Sequence, residues 1–113
     1  MKKVEIVIPE DEMYKVFDSL TKLGVGGFSY FTARGRGKRD RPMVPSGRGG
    51  RFKSAYNLNS FLFVVVPDKD VEKVVDVVVS RPIPDAIGEG KIFICDVADA
   101  IDIGTKKRGE SSL

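Results

Sequence analysis

Phe61-Leu62-Phe63-Val64-Val65-Val66-Pro67 is an apolar run closed by a proline, and Val71, Val74, Val75 and Val78 follow it at i, i+3, i+4 and i+7. Six apolar residues ended by Pro read as a buried strand, and the valine spacing reads as one face of a helix. A similar couplet opens the chain. Lys3-Val4-Glu5-Ile6-Val7-Ile8 is close to period two and stops at Pro9, after which Met13, Val16, Phe17, Leu20 and Leu23 recur at helical spacing. Asp11 is expected to cap the first helix, and Asp68 or Asp70 the second. Gly24, Gly26 and Gly27 stop the first helix, and Pro82 and Pro84 break the second. Phe28 to Arg34 is rich in aromatic and β-branched residues and predicts a strand, as does Lys91-Ile92-Phe93-Ile94 after Gly88-Glu89-Gly90.

The order strand, helix, strand, strand, helix, strand predicts an α+β fold, the ferredoxin-like βαββαβ sandwich: four antiparallel strands with both helices on one face. Phe61 and Phe63 are read as core residues. The run at 61–66 needs cover on both sides, while the second face of such a sheet is bare. Burial of sheet against sheet in a homotrimer or another small ring is therefore expected.

The chain has 113 residues, 42% hydrophobic and 31% charged, which is one domain with an ordinary soluble balance. It has no His and one Cys, so a His-based metal site, a Ser-His or Cys-His triad and a disulfide framework are excluded. Asp11, Asp68, Asp70 and Glu89 are scattered without paired-carboxylate spacing, and Cys95 reads as a small buried hydrophobe, so no enzyme and no metal site are expected. No apolar run is long enough to span a bilayer, and Met1-Lys2-Lys3 does not lead into a signal peptide, which points to a cytoplasmic protein.

Between the second and third strands, from about 35 to 57, no apolar period exists. Arg34, Arg36, Lys38, Arg39, Arg41, Arg48, Arg51 and Lys53 crowd this stretch with only Asp40 opposing them. A loop of about 20 residues in so small a domain is functional or disordered. Charge of this density suits a docking arm for an anionic surface, against the plainer reading of a solvated, self-repelling loop. Nucleic acid is the rival partner, but the Lys/Arg-Gly-aromatic signature of RNA-recognition strands is absent, so no nucleic acid is expected. The residues from Gly104 to Leu113 read as a polar, mobile tail.

Ile87-Gly88-Glu89-Gly90-Lys91-Ile92-Phe93-Ile94, followed by Asp96-Val97-Ala98, resembles the C-terminal signature of the PII signal-transduction family. The start Met1-Lys2-Lys3-Val4-Glu5, the turn Leu23-Gly24-Val25-Gly26-Gly27, the pair Gly35 and Gly37, and Val65-Val66-Pro67-Asp68 are similar to that family too. The resemblance implies one PII-like domain over 1–113, with a T-loop at about 35–57, a B-loop at about 81–91 and a C-terminal tail at about 104–113. It implies a homotrimeric regulator of nitrogen metabolism, with ATP, ADP or AMP as effector ligands and no tightly bound cofactor. The nucleotide would contact Gly37, Lys38, Val64, Gly88, Glu89, Gly90 and Lys91 in clefts between subunits. Arg39, Arg41, Arg48, Arg51 and Phe52 of the T-loop would dock on a membrane transporter or metabolic enzyme. Backbone N–H groups at Gly88 and Gly90 can approach phosphate oxygens closely, and Lys91 adds a cation there.

Other positions depart from the family pattern. Pro84-Asp85 stand in the B-loop where Thr-Gly is usual, and Asp102 and Gly104 hold two positions where the family has phosphate-binding arginines. Lys106, Lys107 and Arg108 would substitute only if the tail folds back. Lys38 replaces the usual Arg. Arg39 stands in place of the magnesium-ligating Gln and Asn59 in place of a carboxylate-binding Lys, so 2-oxoglutarate sensing is expected to be lost. Phe52 lies near the position of the uridylylated Tyr and has no hydroxyl, while Tyr56 reads as a strand-edge aromatic. The alternative is a PII-like sensor of another small anion, such as bicarbonate.

Overall fold

The computed structural model describes residues 1–80 and 90–113. β1 (Lys2–Pro9) leads through a 3-10 turn into α1 (Met13–Leu23), and β2 (Phe28–Gly35) follows. After β3 (Met43–Pro45) and β4 (Arg51–Lys53) come β5 (Asn57–Val66), a second 3-10 turn, α2 (Val71–Val79) and β6 (Lys91–Asp96). The main sheet has the order β2-β5-β1-β6, antiparallel throughout. This is the expected βαββαβ sandwich. The Pro82 and Pro84 helix breakers, Asp85, Ile87, Gly88 and Glu89 lie outside the described residues.

One face of the sheet and the two helices enclose the core. Val4, Ile6, Ile8, Leu62, Val64 and Val66 alternate inward from β1 and β5, and Met13, Val16, Leu20, Val71, Val74 and Val78 meet them from the helices. Burying side chains of this size contributes roughly 1.5–3 kcal/mol each before entropy is charged against it. Gly24, left-handed at φ 77°, ends α1 and donates its N–H to the Thr21 carbonyl at 3.1 Å.

The structure corrects several sequence readings. Neither Asp11 nor Asp68 nor Asp70 caps a helix with its side chain. The 3-10 turns at Glu10–Glu12 and Asp68–Asp70 already carry helical backbone into α1 and α2, so the extended cap geometry that aims a carboxylate at the N2 or N3 amide is missing. Asp70 instead takes an ion pair from Lys73 at 2.6 Å, and Asp68 one from the Met1 ammonium at 2.9 Å. Phe61 and Phe63 are half-buried on the open face, not in the core, because period two sends Leu62 and Val64 to the helices. Cys95 is exposed on β6, because that strand is an edge of the sheet.

The 35–57 segment is not featureless. Pro42 to Ser54 folds as a two-stranded ribbon, with Met43 opposite Lys53, Val44 opposite Phe52 and Pro45 opposite Arg51. The tail is folded as well. Ile101 bridges Arg108, Asp102 accepts from the Thr105 N–H at 2.6 Å and its hydroxyl at 3.0 Å, and the last residues lie against Gly26. Its order comes from side-chain acceptors bonding nearby amides, a local device that shows no apolar period.

Candidate functional site

The residues expected to bind nucleotide fall into two groups at opposite ends of the sheet. Gly37 and Lys38 follow β2 in an exposed bend, and Gly90 and Lys91 begin β6. The register puts both at one end, because Arg34 pairs with Leu58 at the start of β5 and Lys91 pairs with Val7 near the end of β1. They stand on the two outer strands, however, with β5 and β1 between them, a lateral separation of roughly 14 Å. Val64 pairs with Phe28 and Val4, five residues along β5 from Asn59 and so roughly 17 Å toward the other end. Its side chain is packed in the core, and Gly26, Gly27, Ser29 and Leu113 line an open cleft beside it. A single copy does not bring the two groups together.

Gly90 has a specific reason to be glycine. Its φ is +134°, and a Cβ there would collide with the Val7 carbonyl oxygen. Gly90 can therefore lie flush on β1 where any side chain would be excluded. Among the described residues the ammonium of Lys91 is exposed and has no ion-pair partner. Gly35 is similarly tight. A Cβ there would sit 2.5 Å from the Asn59 amide nitrogen, so Asn59 lies across the root of the T-loop.

The tail accounts for its own charges. Arg108 is held by Asp99, from Nε at 2.8 Å and Nη2 at 2.5 Å, which draws the Asp99 carboxyl below its ordinary value. Asp102 is drawn down as well, by the Thr105 amide and hydroxyl. Only Lys106 and Lys107 of the three tail cations expected as substitutes have no ion-pair partner among the described residues.

The basic residues of the T-loop divide into two kinds. Arg41 donates Nη1 to the Ser54 carbonyl at 2.8 Å, and Arg51 donates Nη2 to the Met43 carbonyl at 3.2 Å. Asn57 fixes the Arg39 carbonyl at 3.3 Å, and Ser54, buried, accepts the Tyr56 N–H and donates to its carbonyl. Arg34 stacks on the Tyr56 ring with its guanidinium carbon 4.8 Å from the centroid. Arg48 at the tip and Phe52 on β4 are exposed. The internal role of Arg41 and Arg51 was not legible in the sequence, where every arginine of the loop looks alike.

The face of the sheet away from the helices carries four phenylalanines around a Lys3–Glu5 pair. Phe31 and Phe61 stack at 5.3 Å, Phe63 and Phe93 flank Glu5 across β1, and Lys3 reaches Glu5 at 3.5 Å. Among the described residues no helix is long and apolar enough to cross a membrane.

Comparison with known proteins gives one consistent answer. The family model described as nitrogen regulatory protein P-II matches residues 1–107. Nitrogen regulatory protein P-II of Cereibacter sphaeroides is 34% identical over 113 residues, with both chains covered in full. The nitrogen fixation nifHD region GlnB-like protein 2 of Methanothermobacter marburgensis is 34% identical over 121 aligned positions, again covering both chains. Nitrogen regulatory protein P-II 1 of Escherichia coli is 28% identical over 113 residues at full coverage.

Proposed function

Because the chain belongs to the nitrogen regulatory protein P-II family, we propose that it is a homotrimeric signal-transduction regulator of nitrogen metabolism, not an enzyme. Adenine nucleotide binds at its subunit seams, and its T-loop docks on a transporter or metabolic enzyme. The observation that carries this reading is the family match across residues 1–107. Two features support the trimer. The open sheet face holds Phe31, Phe61, Phe63 and Phe93, which water would otherwise cover. The two groups of nucleotide residues also lie at opposite ends of a protomer, so a neighbour's Val64 end can complete the Gly37, Lys38, Gly90 and Lys91 end; Gly88 and Glu89 lie outside the described residues.

The second reading, a sensor of a smaller anion such as bicarbonate, is favoured by the tail. Asp102 occupies itself with Thr105, and Arg108 with Asp99, which leaves fewer cations for a polyphosphate. Losing two charge-assisted bonds of roughly 1.5–3 kcal/mol each weakens a triphosphate by orders of magnitude and a monoanion by less. Thermal unfolding with ATP, ADP, AMP, bicarbonate and 2-oxoglutarate separates the two, since a true ligand raises the midpoint in proportion to the logarithm of its concentration. A nucleotide shift that Lys91→Ala abolishes supports the first reading. A nucleotide shift that survives Lys91→Ala overturns the placement of the phosphates, and micromolar 2-oxoglutarate binding dependent on Mg-ATP overturns the loss of that effector.

A further inference from the structure

The end of the tail is built in two parts of unequal hold. Its base is pinned: the Gly109 N–H donates to the Ala100 carbonyl at 2.9 Å and to Asp99 Oδ1 at 3.1 Å, and the same carboxylate holds Arg108. Gly109 then takes a φ of +69°, a left-handed bend that side chains rarely allow, and opens the 3-10 turn Gly109–Ser112. The hydrogen bonds of this turn stay local. Ser111 and Ser112 donate their hydroxyls to the Arg108 and Gly109 carbonyls at 2.9 and 2.7 Å, and the Leu113 N–H donates to the Glu110 carbonyl at 3.1 Å. Among the described residues no hydrogen bond or ion pair ties 110–113 to the body of the domain. Contact alone seats the turn. A Cβ on Gly26 would stand 3.3 Å from the Leu113 backbone carbon, while Leu113 itself remains 41% exposed.

Gly26, Val65 and Leu113 line two clefts in common. One, of about 360 Å³, adds Phe28, Ser29, Phe63 and Val64, the end assigned above to nucleotide. The other, of about 340 Å³, adds Leu23, Pro67, Lys73 and Glu110. Each stands at the small end for ligand pockets, which run from roughly 300 to 1,000 Å³. Leu113 on Gly26 is the partition between them. Resting on the nucleotide reading above, we propose that residues 110–113 are a strap that splits this groove when seated on Gly26, and that strap and adenine nucleotide exclude one another there. Lifting the strap turns the chain at Gly109, breaks no hydrogen bond to the body and leaves the hairpin of 99–109 pinned. A segment with few buried contacts opens locally at little cost, and a ligand that binds only the open form shifts the population toward it. The apparent affinity is then the intrinsic one reduced by the fraction of time the strap is open. Glu110 brings a carboxylate to the same groove, where it opposes phosphate as well.

The test titrates ATP, ADP and AMP by calorimetry into the full chain, into a variant that stops at Gly109 and so keeps the Arg108–Asp99 contact, and into Glu110→Gln. Removing the strap is expected to tighten ATP about fivefold, which corresponds to a strap seated about four-fifths of the time. Glu110→Gln is expected to give less than half of that gain. Gly26 lies outside the left-handed region and only Leu113 approaches its Cβ position, so Gly26→Ala is a direct probe of the seat. It is expected to tighten ATP about twofold in the full chain and to do nothing in the shortened one. In the full chain, saturating ATP is expected to move the Leu113 methyl resonances to those of an unstructured chain. Unchanged or weaker ATP binding without the strap overturns the proposal, as do Leu113 resonances that ATP leaves in place. A gain from Glu110→Gln equal to that of truncation replaces exclusion by charge alone and overturns it too. Nucleotide that binds both lengths of chain equally leaves the nucleotide reading standing and removes the strap, whereas no binding of any nucleotide to either length overturns both.

Discussion

Arg108 places two donors, Nε and Nη2, on the single Oδ2 of Asp99, while Oδ1 of the same carboxylate accepts the amides of Ala100 and Gly109 at 2.8 and 3.1 Å. One carboxylate thus holds the two ends of the tail hairpin together, and protonating it removes the negative charge that strengthens all four contacts.

The first prediction concerns pH. Asp99 is lowered from its ordinary value of 3.8 chiefly by Arg108, Asp102 by the Thr105 amide, Asp70 by Lys73 and Asp68 by the chain-terminal ammonium. A carboxyl with a depressed folded pKa contributes stability that is fully present above its unfolded value and is lost as pH falls through the folded one. Unfolding midpoints are therefore expected to hold level down to about pH 5 and to fall below pH 4. Lys2 has the opposite sign: Asp96 raises it above 10.5, so its contribution is lost only as strongly alkaline pH is approached. Asp99→Asn should raise amide exchange in 100–109 at neutral pH, and unaltered exchange would show that the carboxylate does not hold the hairpin.

Ser60 supplies a second prediction. Its hydroxyl is fully buried in β5 and has no hydrogen-bond partner among the described residues. A hydroxyl desolvated without a partner costs about 1–3 kcal/mol, so Ser60→Ala is expected to stabilise the protein by about 1 kcal/mol. Urea denaturation checks it: the midpoint should rise with the slope unchanged.

A third prediction tests the core directly. Leu62 is fully buried on the central strand β5, facing both helices. Leu62→Ala is expected to cost about 3 kcal/mol, the sum of lost transfer energy and residual cavity. Phe61→Ala, on the open face, should barely change the unfolding of a dissociated chain and should weaken assembly instead, read as a lower sedimentation coefficient on dilution.

Gly90 gives the fourth. A methyl group there is opposed both by its φ of +134° and by the Val7 carbonyl, so Gly90→Ala must move the start of β6 away from β1. A loss of about 2 kcal/mol or more is expected. If Gly90→Ala folds with unchanged stability, the flush contact between Gly90 and β1 does not exist.

Much of the fold was legible because its signals are local and periodic. The valines of α2 and the alternation in β1 each state one face toward the core, and the glycines after α1 state its end. What the sequence concealed depends on pairing and not on pattern. Nothing in Met43-Val44-Pro45 announces a strand until Arg51-Phe52-Lys53 lies beside it, and the tail hairpin rests on Asp99 and Asp102 bonding nearby amides. Phe61 looked like a core residue because a continuous apolar run does not say which side faces the helices. Of the candidate site, Gly90 and Lys91 were readable from their glycine-flanked motif, while the division of the loop arginines into bracing and free ones needed their distances to carbonyls.

Among the described residues the ribbon of β3 and β4 pairs only with itself, and its braces come from its own residues and the adjoining loop root. Residues at its tip can therefore be exchanged without disturbing the packed interior of the domain. If the ribbon docks a partner as proposed, it is free over generations to change the company it keeps while the scaffold that carries it stays the same, so descendants with similar bodies can answer to different clients.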